Sequence, residues 1–559
     1  MFKSNEPSFS NYFKLPNPGL RAYFSNVEKG QPLVYDTPFA KGESMKTTLE
    51  KWNRILKSIS AEWPTLWEFE QDLRSKVGPL SVMEPLSKRM DDIDHYYDDI
   101  HLESQPILDA ALKATVSEWK DVGRLRIKSQ RETINDMKQS SNSGSPYFHK
   151  RRDVNKLTYP VHYVRPDRST VLQALADTSW NACAVLGWRG QEGGYSKADV
   201  KQRVVWMFPY AVNIEELRVY QPLIVAAQKH NIIPAWVSMD AVDEQITQLF
   251  DTKGDNELVI CTDFSKFDQH FNRDMAAAAK YVIDSIFATS ADMRYWLKQT
   301  YEIKYMIPLA YQYGKVRYGR HGMGSGSGGT NADETLAHRA LQYEAAITHG
   351  AKLNPHSMCL GDDGVLTYPG ITVDEVVDTY TRHGQEMNST KQYASTQDCV
   401  FLRRWHHNKY RVNGVCAGVY STNRALGRLK YLERFQDPQY WGPKMVALRQ
   451  LSILENVKFH PLREQFAEFC MKRDKFRLGL DIPGFLDNID RFAKEAIDEL
   501  PDFLGYTKSM QKDAQKGIED WWIVKYLKHI QAEELGKAAQ SQLKLADMVA
   551  EKHNTILRS

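Results

Sequence analysis

Hydrophobic and polar positions change period several times along this chain. Residues 1–60 are punctuated by Pro and Gly and then turn helical near Met45–Ile59, where apolar side chains recur three and four apart. Phe9, Tyr12, Phe13 and Tyr23 are interspersed there, which predicts an ordered arm rather than a tail. Residues 60–130 continue in a mostly helical pattern, and QSSNSGSPYF (139–148) is a loop by composition. Residues 150–255 mix short strands and helices, with basic residues throughout. Leu258–Thr262 is a short apolar, β-favouring run that leads directly into DFSKFD, and a helix is predicted from Met275 to Phe287. HGMGSGSGGTN (321–331) is a Gly/Ser loop, followed by a predicted helix over 332–347. Within 358–368, MCL and VLTY flank GDDG, two apolar runs around a tight acidic turn that predict a β-hairpin. Another helix fits Val373–His383. After Val400 the pattern is mainly helical, ending in a long charged amphipathic stretch from Ile518 to His553. No repeat, low-complexity block or flexible linker interrupts the chain, so its parts are expected to pack as one body.

Composition adds limits rather than chemistry. Of 559 residues, 42% are hydrophobic and 26% charged, an ordinary globular balance. The six cysteines (Cys183, Cys261, Cys359, Cys399, Cys416, Cys470) have no paired spacing, so they read as reduced thiols rather than a zinc site or disulfide frame. His406 and His407 have no partners at zinc spacing and read as hairpin surface. MFKSNEPSFSNYFKLPNPG has no apolar core of a secretory signal, and no run is long enough to span a bilayer. A setting inside the cell or inside a particle is therefore expected. A net charge of +3 neither demands nor excludes nucleic acid, since a basic channel can be offset by acidic ligands elsewhere.

The acids carry the chemistry. Asp263 ends an apolar strand, and Asp362 and Asp363 occupy a hairpin turn. If that hairpin lies beside that strand, three acids converge at one sheet edge. Such a cluster repels itself unless cations occupy it. Carboxylate oxygens suit Mg²⁺ or Mn²⁺, and two such ions can activate a 3′-hydroxyl and neutralise leaving pyrophosphate. Acids in turns are also common for conformational reasons, so GDD by itself decides nothing.

The order of motifs decides more. D-x4-D is present as Asp263 and Asp268, SG-x3-T as Ser325, Gly326 and Thr330, and GDD as Gly361, Asp362 and Asp363. HGQEMNSTK (383–391) and VFLRRW (400–405) follow; KQRVVW (201–206) and SGSP (143–146) precede. Seven motifs in this order, over roughly residues 140–405, resemble those of viral RNA-dependent RNA polymerases. YQPL (220–223) and STNRALGRLKYLERF (421–435) look most like the enzymes of picobirnaviruses, with the partitivirus type second.

The resemblance implies roles. Asp263 and Asp362 would bridge two metal ions, with Asp363 a secondary ligand or electrostatic neighbour. Asp268 would sense the ribose 2′-hydroxyl, although it equally suits the N-terminus of the helix that follows. Ser325 and Thr330 would lie near the sugar and template base. Where the family often has Asn, four residues after the Thr, this chain has Glu334, with Asn331 nearby. Either Asn331 substitutes, or sugar reading rests on Asp268 and Ser325. Lys201 and Arg203 alternate on a strand and so share a face toward triphosphate, or toward solvent. Lys391 takes the place of a general acid for pyrophosphate. Ser143, Gly144 and Gly326 would meet template, and Arg403 and Arg404 the nascent strand. Arg424, Arg428, Lys430 and Arg434 would track phosphates along a helix, or merely form its solvated face.

The fold so implied is α+β, a right-hand polymerase with an antiparallel palm sheet and an encircled tunnel. Its parts would be an arm (1–60) bridging fingers and thumb, fingers (61–254 and 291–320), palm (255–290 and 321–404), and a thumb with C-terminal region (405–559). The reaction would be template-directed transfer from NTPs with two Mg²⁺ or Mn²⁺ ions. Partners would be RNA template, nascent RNA and viral capsid protein, with no membrane. The enzyme would act as a monomer in the virion interior and host cytoplasm.

Overall fold

The computed structural model describes residues 18–165, 171–173, 183–499 and 517–558. The arm's Phe9, Tyr12 and Phe13 lie outside the described residues. The chain divides into two compact units interleaved in sequence. The first takes residues up to 35, 60–421 and 431–433; the second takes 36–59, 422–430 and 434 onward.

The first unit is built around a four-stranded antiparallel sheet. Its spatial order is Tyr393–Ser395, Val259–Thr262, Asp363–Leu366, Met358–Leu360. Strand alternation sends neighbouring residues to opposite faces. Ile260 and Leu366 pack with Phe264, Phe267 and the helices Arg273–Ile286 and Thr330–Thr348. Val259, Cys261 and Val365 pack on the other side, with the helix Met239–Thr252. The sheet is thus buried on both faces, which is why its strands read as continuous apolar runs. The Arg273–Ile286 helix starts two residues before its expected first residue because Asn272 caps it, accepting from the amides of Asp274 (3.0 Å) and Met275 (3.1 Å).

A second four-stranded sheet runs Lys201–Met207, Ala184–Gln191, Leu309–Gln312, Lys315–Arg317, with its central pair parallel. A three-stranded sheet joins Asp398–Phe401, Arg404–His407 and Val419–Tyr420. All six cysteines are free and buried. Among the described residues no helix is long and apolar enough to cross a membrane.

The second unit is helical. Trp52, on the Met45–Leu56 helix, is fully buried, meets Phe466 edge-on at 4.9 Å, and donates to Thr422 Oγ1 at 2.8 Å. The Trp522–Arg558 helix buries Ile523, Val524 and Leu527 near its start. Farther on it exposes Leu535, Leu543, Leu545, Met548 and Val549.

Candidate active site

The sheet's topology brings the acids together. Thr262 pairs with Gly364 and Leu360 with Asp363, so Asp263, which follows its strand, and Asp362, in the hairpin turn, emerge at the same end. Gln392 clamps the Asp263 backbone, accepting from its amide at 2.7 Å and donating to its carbonyl at 2.9 Å. Gly361 makes the acidic turn with φ +58°, where glycine carries no steric cost. Its amide donates to Thr335 Oγ1 at 2.9 Å, and its carbonyl lies 2.8 Å from His338 Nδ1. Burial holds the His338 pKa down to about 4, so the ring is neutral and its Nδ1–H donates.

The electrostatics fit a site that holds cations. Burial raises the pKa of Asp263, opposed by Lys391 and Lys76. Burial also raises that of Asp362, with Asp268 adding to the effect and Arg203 opposing it. Asp363 differs from Asp362. Its Oδ2 accepts from the Leu402 amide at 2.7 Å, and burial pushes its pKa up to about 7. It fastens the turn at 401–404, and the neighbouring charge of Asp362 adds to the upward shift. Among the described residues no three acids, histidines or cysteines stand close enough together to hold an ion unaided. Two carboxylates at a partly open site fit Mg²⁺ or Mn²⁺, which bind through one or two acids and complete their shell with water and substrate phosphates.

The Gly/Ser loop is held from several sides. A Cβ on Gly326 would stand 1.7 Å from the carbonyl oxygen of Trp206, so only glycine lets the loop lie against that strand. Ser325 Oγ accepts from the Trp206 amide at 3.2 Å. Thr330 Oγ1 donates to the Gly324 carbonyl at 2.9 Å, so the loop itself uses the hydroxyl expected near the sugar. Glu216, buried, accepts from Ser327 Oγ and from the Gly328 amide at 3.2 Å. Asp333, buried at the start of the next helix, accepts from Tyr220 (2.7 Å), Tyr305 (2.6 Å) and Lys304 (3.1 Å).

A family model for viral RNA-dependent RNA polymerases matches residues 81–458, a span containing every acid and loop just described. This chain belongs to that family. It is 59% identical over 526 residues to a protein named as a potential RNA-dependent RNA polymerase of human picobirnavirus (strain Human/Thailand/Hy005102), covering 93% of this chain and 98% of that one. The crystal structure of the RNA-dependent RNA polymerase of a human picobirnavirus superposes with a TM-score of 0.89 at 58% identity, covering 94% of this chain and 99% of that one. An insertion-loop deletion mutant of such an enzyme gives a TM-score of 0.87 at 57% identity, with coverage of 94% and 99%. The fold is therefore the α+β polymerase fold anticipated from the motifs.

Within this polymerase the other anticipated residues separate into groups. Arg203 and Lys201 are exposed on one strand face, and Arg203 lies near enough to Asp362 to favour its charged form. Lys391 is exposed and acts on Asp263 in the same way. Arg403 is exposed and pairs with Glu192 at 3.3 Å. Arg404 corrects the expectation of a nascent-strand contact. It is buried, with Asp243 taking both guanidinium ends at 2.8 and 3.2 Å and the Gly418 carbonyl accepting at 3.0 Å. His406 is likewise buried rather than on the surface, with Nδ1 3.0 Å from the Cys416 carbonyl. Ser143 is buried, and its hydroxyl accepts from the His149 amide at 3.2 Å, so it closes its loop rather than facing RNA. A Cβ on Gly144 (φ +61°) would lie 2.5 Å from the Phe208 carbonyl oxygen. Asn331 accepts from Trp236 Nε1 at 2.8 Å. Arg424 and Arg428 stand one turn apart on the Thr422–Lys430 helix of the second unit, each partly buried.

Several residues escaped the sequence reading. Lys76 acts on Asp263 from far upstream, and Tyr96 is a buried phenol whose ionisation Asp268 and Glu334 both oppose. No local motif marks either. Glu216 had a signal, one of two adjacent carboxylates, Glu215 and Glu216, buried in the helix Tyr210–Lys229.

Proposed function

We propose that this polymerase copies RNA by transferring a nucleotide from an NTP to an RNA 3′-hydroxyl with release of pyrophosphate, in genome replication and transcription of a segmented double-stranded RNA virus. The observation that carries this reading is the emergence of Asp263 and Asp362 at one sheet end, with Asp268 and Arg203 beside them. Asp263 and Asp362 would hold two Mg²⁺ or Mn²⁺ ions together with substrate phosphates. When bound, the ions supply activation of the 3′-hydroxyl and neutralisation of developing charge. The protein's own share is placement. The Gln392 clamp and the Thr335 and His338 contacts keep both carboxylates from drifting, which phosphoryl transfer rewards. Arg203 brings positive charge to the phosphates, and Lys391 is placed to donate a proton to pyrophosphate. Asp268 accepts the hydrogen of a ribose 2′-hydroxyl.

In this reading residues 61–254 and 291–320 are fingers, 255–290 and 321–404 palm, and 405–559 thumb and C-terminal region. The enzyme works as a monomer with capsid protein, in the virion interior and host cytoplasm. The test is synthesis by purified protein on single-stranded RNA with four NTPs and Mg²⁺ or Mn²⁺, beside Asp362→Ala. Template-length product from the wild type alone supports the reading. A preference for dNTPs, or equal product from both proteins, overturns it.

A further inference from the structure

Lys304, in the short helix Ile303–Met306, reaches the Gly/Ser loop at both of its ends. Near the start, four successive amides donate to four separate residues: His321 to the Tyr305 carbonyl (2.9 Å), Gly322 to that of Tyr96 (2.8 Å), Met323 to that of Asp268 (2.8 Å) and Gly324 to that of Lys304 (3.1 Å). At the far end stands Asp333, whose carboxylate takes the Lys304 ammonium at 3.1 Å and the hydroxyls of Tyr220 and Tyr305. Both charged residues are fully buried. A second ammonium hydrogen goes to the Tyr301 carbonyl at 2.6 Å, and the Tyr301 ring centre lies 3.7 Å from the nitrogen. Burial, then the charge of Asp333, hold the phenols of Tyr220 and Tyr305 well above their ordinary range, so both keep the hydrogens they donate. The loop's own glycines rest on the same network. A Cβ on Gly324 would stand 2.9 Å from the Lys304 carbonyl oxygen, and one on Gly329 would stand 2.2 Å from the Tyr220 ring. Burying two charges offsets most of what their attraction gains, so stability alone is a weak reason for the pair. Its geometry is a stronger one, since a single residue ties down the chain before and after the loop.

We propose that Lys304 is a positioning residue for nucleotide transfer: its carbonyl and its ammonium together staple the two ends of the Gly/Ser loop, and so hold Ser325 and Gly326 at a set distance from Asp268. This rests on the nucleotide-transfer reading above. It adds a residue that lies outside all seven sequence motifs and acts on the site only through the loop.

The experiment measures kcat and KM for NTP in primed RNA extension, with melting temperature and RNA affinity of the same preparations. Lys304→Met keeps the main-chain bond to Gly324 and removes the ammonium. It also strands the Asp333 charge, so melting temperature is expected to fall together with activity. Lys304→Met combined with Asp333→Asn removes both charges. That double variant is expected to recover most of the melting temperature, yet to extend primers with a kcat about tenfold or more below wild type and with unchanged RNA affinity. Wild-type kcat in the double variant would reduce the pair to a matter of stability and overturn the proposal, as would a loss confined to KM or to RNA affinity. If neither variant folds, Tyr305→Phe takes one hydrogen bond from Asp333 and leaves both charges. It is expected to lower kcat about threefold, and an unchanged kcat there would overturn the proposal in turn. Absence of RNA synthesis by the wild type would instead overturn the nucleotide-transfer reading itself.

Discussion

Gly326 and Gly536 belong to two regions that use the same residue for opposite reasons. At Gly326 the loop lies against the Lys201–Met207 strand so closely that one extra carbon would overlap the Trp206 carbonyl. Gly536 sits in the exposed part of the Trp522–Arg558 helix, with nothing within 4 Å of where a Cβ would stand. The first glycine is required by a neighbouring backbone. The second only weakens a helix that would be firmer without it. The difference teaches where this molecule is over-determined: around the acidic turn and the Gly/Ser loop backbone groups are held by side chains from other elements, whereas past Glu534, which pairs with Arg477, the terminal helix is exposed.

The comparison can be tested from its strong end to its weak one. Asp362→Ala should cut RNA synthesis by about a thousandfold or more, while the fold persists. Melting temperature should hold or rise slightly, since the change removes a carboxylate repelled by its neighbours. Synthesis near wild-type level in that variant would remove Asp362 from the reaction. Gly326→Ala should lower synthesis about a hundredfold, because the loop or the strand must shift by more than an ångström, roughly, and should destabilise the protein by about 1–3 kcal/mol. A variant with wild-type kinetics would mean the loop has room that the close approach denies.

The third test is acid. Burial holds His321 and His338 down to about 4 and His406 to about 3. Between the ordinary histidine range near 6.5 and those values, the unfolded chain binds more protons than the folded one. Their contribution is therefore intact above about pH 6.5 and lost as pH falls through about 4. Asp363, held up to about 7, acts in the opposite sense, so the test is a difference: in urea melts the stability of His406→Gln relative to wild type should rise as pH falls from 7 to 5. A difference that stays constant with pH would mean His406 is not buried in its neutral form. The smallest effect is Gly536→Ala, which should stabilise the terminal helix by about 0.5–1 kcal/mol. Hydrogen exchange along residues 531–558 would report it, with polymerisation unaltered; faster exchange there would show that the helix has a partner that a Cβ disturbs.

Local pattern carried much of the fold and part of the site. The hairpin around GDD was readable because its strands alternate with a turn, and the loop expected over 321–331 because of its Gly and Ser, although the helix already begins at Thr330. The Asn272 cap shifted a helix start by two residues, since a cap acts through a side chain that periodicity does not weigh. Arg403 and Arg404 looked alike in VFLRRW, yet one is exposed beside Glu192 and the other is buried on Asp243, a residue 161 positions away. Asp362 and Asp363, adjacent in sequence, likewise differ in surroundings, since Asp363 accepts from the Leu402 amide.

By itself the sequence determined which groups are available: two acids at the ends of short apolar strands, a loop that only glycines allow, and cations on alternating positions. Periodicity, turn chemistry and residue type are local properties, so they are legible along the chain. Only the tertiary structure decided which of these groups meet. Glu216 under the Gly/Ser loop and Lys76 near Asp263 join residues distant in sequence, and their charge states follow from burial that no short segment contains.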